Sequence, residues 1–146
     1  MAIYRSDMLN FRYEASLHVR HPSTSPDTIS TELGRTPKKS HYQGDLRRTP
    51  AGTPLEGTYP MNYWECELET EDQVGITDFL KKLVMTFQPH RGFLKQLSST
   101  GAEVCIHLGI FGDGCCASQF DNRLLNDLAN TGFDLRLDFY GSEPIR

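Results

Sequence analysis

Two histidines occupy matching places in alternating stretches of the chain: Leu17-His18-Val19 and Ile106-His107-Leu108. Side chains of an extended chain alternate between faces, so the aliphatic neighbours take one side and each imidazole the other. If the two stretches are neighbouring central strands, about 4.8 Å apart, both rings can reach one metal ion or one substrate. Glu65, Glu67 and Asp138 lie on the polar phase of two further alternating stretches and could bring carboxylates to the same face. Imidazole beside carboxylate suits acid–base work or metal ligation, so these five residues form the first candidate set. A metal signature proper would carry its ligands at fixed short spacings, which these lack. No metal is therefore assigned, and His18 and His107 mark where one would sit. The plain alternative is a solvated face of cross-strand ion pairs, each worth under about 1 kcal/mol.

A second candidate set lies in residues 36–60, a long stretch rich in proline (37, 50, 54, 60) and glycine (44, 52, 57). Long irregular segments in small domains are functional or mobile. From Arg35 to Pro60 five bases (Arg35, Lys38, Lys39, Arg47, Arg48) face two acids (Asp45, Glu56), a local balance of +3 against −7 for the remainder. This basic flap, with Arg47, Arg48 and Tyr59, could attract an anionic partner or close over the histidine face. The four cysteines show no C-x-x-C spacing, which argues against a zinc site or a disulfide framework. Cys66 and Cys105 read as small apolar strand residues, and only the Cys115-Cys116 pair in a glycine-rich loop invites a test of reactivity. No G-x-S-x-G, Walker loop, H-E-x-x-H or G-x-G-x-x-G occurs. The expectation is a non-enzyme without cofactor.

The elements that must position these residues are legible from periodicity. Residues 11–20 alternate, with Phe11, Tyr13, Ala15, Leu17 and Val19 on one face. Ser25-Pro26-Asp27 reads as a helix start, and Gly34 as its stop. After the 36–60 loop, which has room for at most a short strand near 40–43, residues 63–69 alternate with Trp64, Cys66 and Leu68 inward. Thr70 to Gln73 resembles a capping box ahead of a helix carrying Ile76, Phe79, Leu80, Leu83, Val84 and Phe87. Pro89 interrupts it and a second short helix runs on to Gly101. Residues 103–110 and 133–140 alternate again, separated by a helix capped by Asp121 or Asn122 and ended by Gly132. The predicted order is β-α-(β)-β-α-α-β-α-β. The likeness of 17–34 to 106–132 suggests two related β-α-β halves. Together these predict an α+β two-layer sandwich of ferredoxin-like type, with helices on one face of a mixed or antiparallel sheet.

Length and charge bound the rest. The 146 residues suit one domain, with 1–10 as an N-terminal extension. Net charge is −4 and the isoelectric point 5.7, which disfavours a nucleic-acid binder. Neither a signal-peptide run nor a membrane-length apolar stretch is present, so a cytoplasmic protein without membrane contact is expected.

Several short motifs fall in a familiar order: Arg20-His21-Pro22, Ile29-x3-Leu33-Gly34, Gly44-Asp45, Thr49-Pro50-x-Gly52, Leu55-x-Gly57-Thr58-Tyr59, Tyr63-Trp64, Pro89-His90-Arg91-x-Phe93-Leu94 and Asp138-Phe139-Tyr140-Gly141. From about residue 13 to 141 the chain resembles the bacterial family catalogued as domain of unknown function 4279. The resemblance implies a small intracellular α/β protein and brings no activity with it. Immunity proteins of toxin systems include families of this kind, which admits toxin neutralisation as a function. The leading expectation is a protein-binding module of immunity type, using the acidic strand Glu65-Glu67-Glu69 or the flap from Arg47 to Tyr59. The alternatives are a small-ligand or metal site at His18 and His107, and a homodimer formed through the polar sheet face.

Overall fold

A computed structural model describes residues 11–114 and 116–141. The N-terminal extension and Cys115 singled out above lie outside these described residues. Strand β1 (Arg12–His21) is the centre of a five-stranded sheet, flanked on one side by β5 (Asn62–Leu68) and on the other by β6 (Glu103–Phe111). Both neighbours run antiparallel to β1. Short β2 (Lys39–His41) closes the β5 edge, and β7 (Asp134–Tyr140) pairs parallel with β6 at the other. Helices α1 (Pro26–Leu33), α2 (Ile76–Phe87), α3 (Arg91–Ser99) and α4 (Asn122–Thr131) complete the main layer pair.

The alternation expected in the strands is what builds the core. Leu17 and Val19 of β1, Trp64 and Cys66 of β5, and Val104, Ile106 and Leu108 of β6 point to one side and are buried. Against them pack Ile29 and Leu33 of α1, Leu80, Leu83 and Phe87 of α2, Leu94 and Leu97 of α3, and Leu124 and Leu128 of α4. Each such side chain contributes about 1.5–3 kcal/mol by leaving water. Trp64 is fully enclosed and its indole N–H donates to Ser30 Oγ at 2.9 Å, so the polar edge of the ring is satisfied. The four helices serve this one core, and among the described residues no helix covers the second face of the sheet.

Helix limits follow the local chemistry. Ser25 Oγ accepts the Thr28 N–H at 3.2 Å and Asp121 the Leu124 N–H at 2.9 Å, as expected of N-caps. Gly132 ends α4 at φ 91, beside the Leu94 backbone. The capping box expected at Thr70–Gln73 does not form. Those residues make a turn closed by Val74 N–H to Glu71 O at 3.3 Å, and α2 starts after Gly75, which offers no side-chain cap. Pro89 sits in a 3-10 turn (Gln88–His90) that redirects the chain from α2 into α3.

An α+β sandwich with a mixed sheet is thus present, but its strand order, β2-β5-β1-β6-β7, differs from the ferredoxin-like arrangement expected. A ferredoxin-like sheet has antiparallel neighbours throughout, whereas α4 connects β6 to a parallel neighbour, β7. The two suggested halves also part company: β2, the strand after α1, runs parallel to β1 but is separated from it by β5, whereas β7, the strand after α4, pairs directly with β6. Their likeness is confined to strand, cap, helix and glycine stop. Residues 36–60 are not a continuous loop. They hold β2 and a separate hairpin, β3 (Leu46–Arg48) with β4 (Pro54–Thr58), whose residues are exposed on both faces. With no apolar phase to reveal it, the hairpin is invisible to periodicity.

Candidate functional site

Register decides which polar side chains meet on the uncovered face. Ser16 of β1 stands between Glu67 of β5 and His107 of β6, and His18 stands between Glu65 and Cys105. Gly109 lies between Glu14 and Asp138. His18 and His107 are therefore diagonal neighbours, and their rings stack with centroids 3.6 Å apart and planes inclined by 14°. The sequence expectation that the two imidazoles come together holds. Their geometry is that of a stack, with the in-plane nitrogens of the two rings running side by side rather than converging.

A line of hydrogen bonds fixes His18. Its Nε2 lies 2.7 Å from Ser16 Oγ and its Nδ1 2.5 Å from Tyr63 Oη, and Tyr63 donates to Glu65 Oε1 at 2.6 Å. The phenol has one hydrogen and gives it to the carboxylate, so His18 must donate from Nδ1 and accept from Ser16 at Nε2. The order of donation is Ser16 to His18 to Tyr63 to Glu65. Burial, followed by the neighbouring His107, pushes His18 down to about 4 against the opposing pull of Glu65, so its ring is neutral at pH 7. Burial also lowers His107, helped by Arg136. Tyr63 is raised, first by burial and then by its bond to Glu65.

Ser16, His18, Glu65 and His107 border a hollow of about 620 Å³ on the open face, a volume within the range of small-molecule sites. Ser16 and Gly109 keep its floor low. A Cβ at Gly109 would meet the Phe111 and Tyr140 rings at 3.3 and 3.4 Å. Those two rings stack at 4.7 Å, and Arg12 lies over Phe111 at 4.2 Å. Four carboxylates line the hollow. Glu14 pairs with Arg12 at 2.9 Å, Glu67 with Lys38 at 2.8 Å and Asp138 with Arg136 at 3.1 Å. Glu65, 20% exposed, lies 3.7 Å from the neutral His18 and accepts the Tyr63 hydroxyl, and it forms no ion pair with a Lys or Arg among the described residues.

The other expected positions lie elsewhere. Arg47 and Arg48 are exposed on the β3–β4 hairpin, where their guanidiniums donate to Glu56 O and Gly52 O at 3.3 Å; they do not border the hollow. Tyr59 stacks on His41 at 3.4 Å, and His41 on Tyr63 at 5.2 Å, at the β2 end of the sheet. Arg47, Arg48 and Tyr59 thus do not cover the histidines, although Lys38 of the same 36–60 segment borders the hollow. The expected acidic outer strand is an inner one, since β2 pairs along β5; Glu69 is exposed just past the end of β5. Ser16 and Tyr63 are the participants that the sequence reading passed over, although both fall on the same alternating phase as His18 and Glu65. Among the described residues no group of three or more His, Cys, Asp or Glu is placed to hold a metal ion. Cys66 and Cys105 are free and buried, and burial lifts both thiols to about 11, so neither is a thiolate at neutral pH. Among the described residues no helix is long and apolar enough to cross a membrane.

With this geometry established, residues 11–142 match the family model for the domain of unknown function DUF4279, and the chain belongs to that family. Comparison with curated proteins and with solved structures gives no match.

Proposed function

We propose that this DUF4279 domain is a binding protein for a small, donor-rich molecule, held in the hollow on its uncovered sheet face. The observation that carries the reading is the bonded line from Ser16 through His18 and Tyr63 to Glu65, of which Ser16, His18 and Glu65 border the hollow, steadied by the His107 stack. Acceptors dominate there: among the described residues Glu65 has no permanent counter-cation in an ion pair, and the aromatic pair Phe111 and Tyr140 offers a flat apolar flank. A ligand with N–H or O–H groups and a small ring or chain matches both features. The stacked rings and the two engaged nitrogens of His18 favour an organic ligand over a metal. Proton–nitrogen NMR of the full chain against a library of small amines, guanidines and polyols tests this. Shifts should gather on Ser16, His107, Gly109 and Tyr140, and Gly109→Leu, which fills the floor, should remove them. Binding that survives Gly109→Leu, or shifts confined to other regions, would sink the siting.

A protein partner is supported by one separate observation. The β3–β4 hairpin exposes Leu46 and Leu55 beside Arg47 and Arg48, a mixed apolar and basic surface that suits an acidic protein. In that reading, which includes an immunity role, a co-purifying partner is lost from Arg47→Glu/Arg48→Glu, and retention of the partner speaks against it.

A further inference from the structure

We infer that Ser16 is an acyl-accepting nucleophile, taking the acyl group of a small aryl ester in the hollow while His18 receives its proton. Activation of a serine needs a base within hydrogen-bond reach and a third group that orients the base. Here the Ser16 Oγ to His18 Nε2 distance is 2.7 Å, and the Nδ1 side of the ring is anchored by Tyr63 and, through it, Glu65. The tautomer that results leaves the Nε2 lone pair directed at Ser16. Stacking on His107 fixes the plane of the ring. Ser25 is committed to the cap of α1 and Ser30 to Trp64, while Ser16 lines the hollow.

The step balances within the site. Ser16 Oγ bonds to the ester carbonyl carbon as its proton moves to His18 Nε2, and the carbonyl electron pair shifts to oxygen. Collapse breaks the bond to the aryl oxygen, which takes the proton from His18 and departs as a phenol, leaving acyl-Ser16 and a neutral imidazole. Water can repeat the sequence to release the carboxylic acid. The positive charge that appears on His18 in between faces Glu65 through Tyr63. Lys38 borders the hollow in an exposed pair with Glu67 at 2.8 Å, and exchanging that partner for the carbonyl oxygen would bring a cation to it. Burial keeps His18 in its base form at neutral pH but makes it a weak base, so the leaving group must be a good one. That restricts the class to activated acyl donors.

This activity shares the hollow with the binding reading but does not depend on it, and the two fail separately. The full chain is incubated with p-nitrophenyl acetate and, in parallel, with an alkyl fluorophosphonate, and adducts are located by peptide mass mapping. One adduct on Ser16 is expected, absent from Ser16→Ala and slowed about a hundredfold in His18→Asn. Tyr63→Phe, which keeps the ring and breaks the link to Glu65, should also slow it. Adduct formation should stay level from pH 8 to pH 5, because burial, followed by His107, Arg20 and Arg136, holds the titration of His18 near 4 against the opposing pull of Glu65. No Ser16 adduct, or a Ser16 adduct formed equally fast in folded His18→Asn and in Tyr63→Phe, overturns the assignment. Ligand-induced NMR shifts without any adduct would leave binding standing and remove the chemistry.

Discussion

Replacing His18 with Asn isolates one titration that the fold must carry. Burial and the adjacent His107 depress His18 from 6.5 to about 4, and its side chain is only 15% exposed, so solvent screening is modest. Above pH 6.5 the ring is neutral in the folded and unfolded chains alike and stability is independent of it. Below 6.5 the unfolded chain takes up a proton that the folded chain refuses until about pH 4. Stability is therefore lost as the pH falls through this window. At pH 5 the gap of about 1.5 pH units corresponds to about 2 kcal/mol, and the full shift to about 3 kcal/mol. His21, His41 and His107 are also lowered by burial and push the wild type in the same direction. His18→Asn loses the stack and some bonding at pH 7, yet its deficit relative to wild type should shrink by about 2 kcal/mol at pH 5. Urea unfolding at the two pH values, followed by the fluorescence of the enclosed Trp64, measures that change directly. An equal deficit at pH 7 and pH 5 would mean that His18 titrates normally, and the account of its buried, stacked environment would be wrong.

Three further perturbations probe the frame that holds the site. Gly132→Ala places a Cβ 3.3 Å from the Leu94 carbonyl carbon at a φ of 91, and should lower stability by at least about 1 kcal/mol in a thermal unfolding scan; an unchanged midpoint would show that α3 and α4 yield freely. Ser30→Ala strips the acceptor from the buried Trp64 indole and should cost about 1–3 kcal/mol in urea, with a shifted Trp emission. His21 is buried, and its Nδ1 accepts the N–H groups of Ser23 and Thr24 at 2.9 and 2.7 Å. Leu at position 21 leaves both donors without that acceptor, for a loss of about 2 kcal/mol and faster amide exchange at Ser23 and Thr24.

The faces of β1, β5, β6 and β7 were legible because burying one side writes period two into the sequence, as in Leu17-His18-Val19 and Ile106-His107-Leu108. That alternation is enough to place His18, His107, Glu65, Glu67 and Asp138 on one surface. It also contained Ser16 and Tyr63, which are in phase with them and carry no less chemistry than a carboxylate once bonded. What alternation cannot supply is register. Setting His107 opposite Ser16 and not opposite His18 is what stacks the imidazoles; a slip of two residues along β6 would keep every side chain on its face while dissolving that stack, and the same slip along β5 would dissolve the Ser16–His18–Tyr63–Glu65 line. The β3–β4 hairpin escaped for the opposite reason. Its strands are wet on both sides, so nothing in Leu46-Arg47-Arg48 distinguishes a ladder from a loop. The same physics bears on the site itself. The helices spend their apolar stripes on the far side of the sheet, and the near side is left to polar residues that must satisfy one another. Glu14, Glu67 and Asp138 do so through their own cations, whereas among the described residues Glu65 does so through a phenol and a neutral imidazole. A carboxylate held in that way is the feature of this surface that a solvated face of ion pairs does not explain.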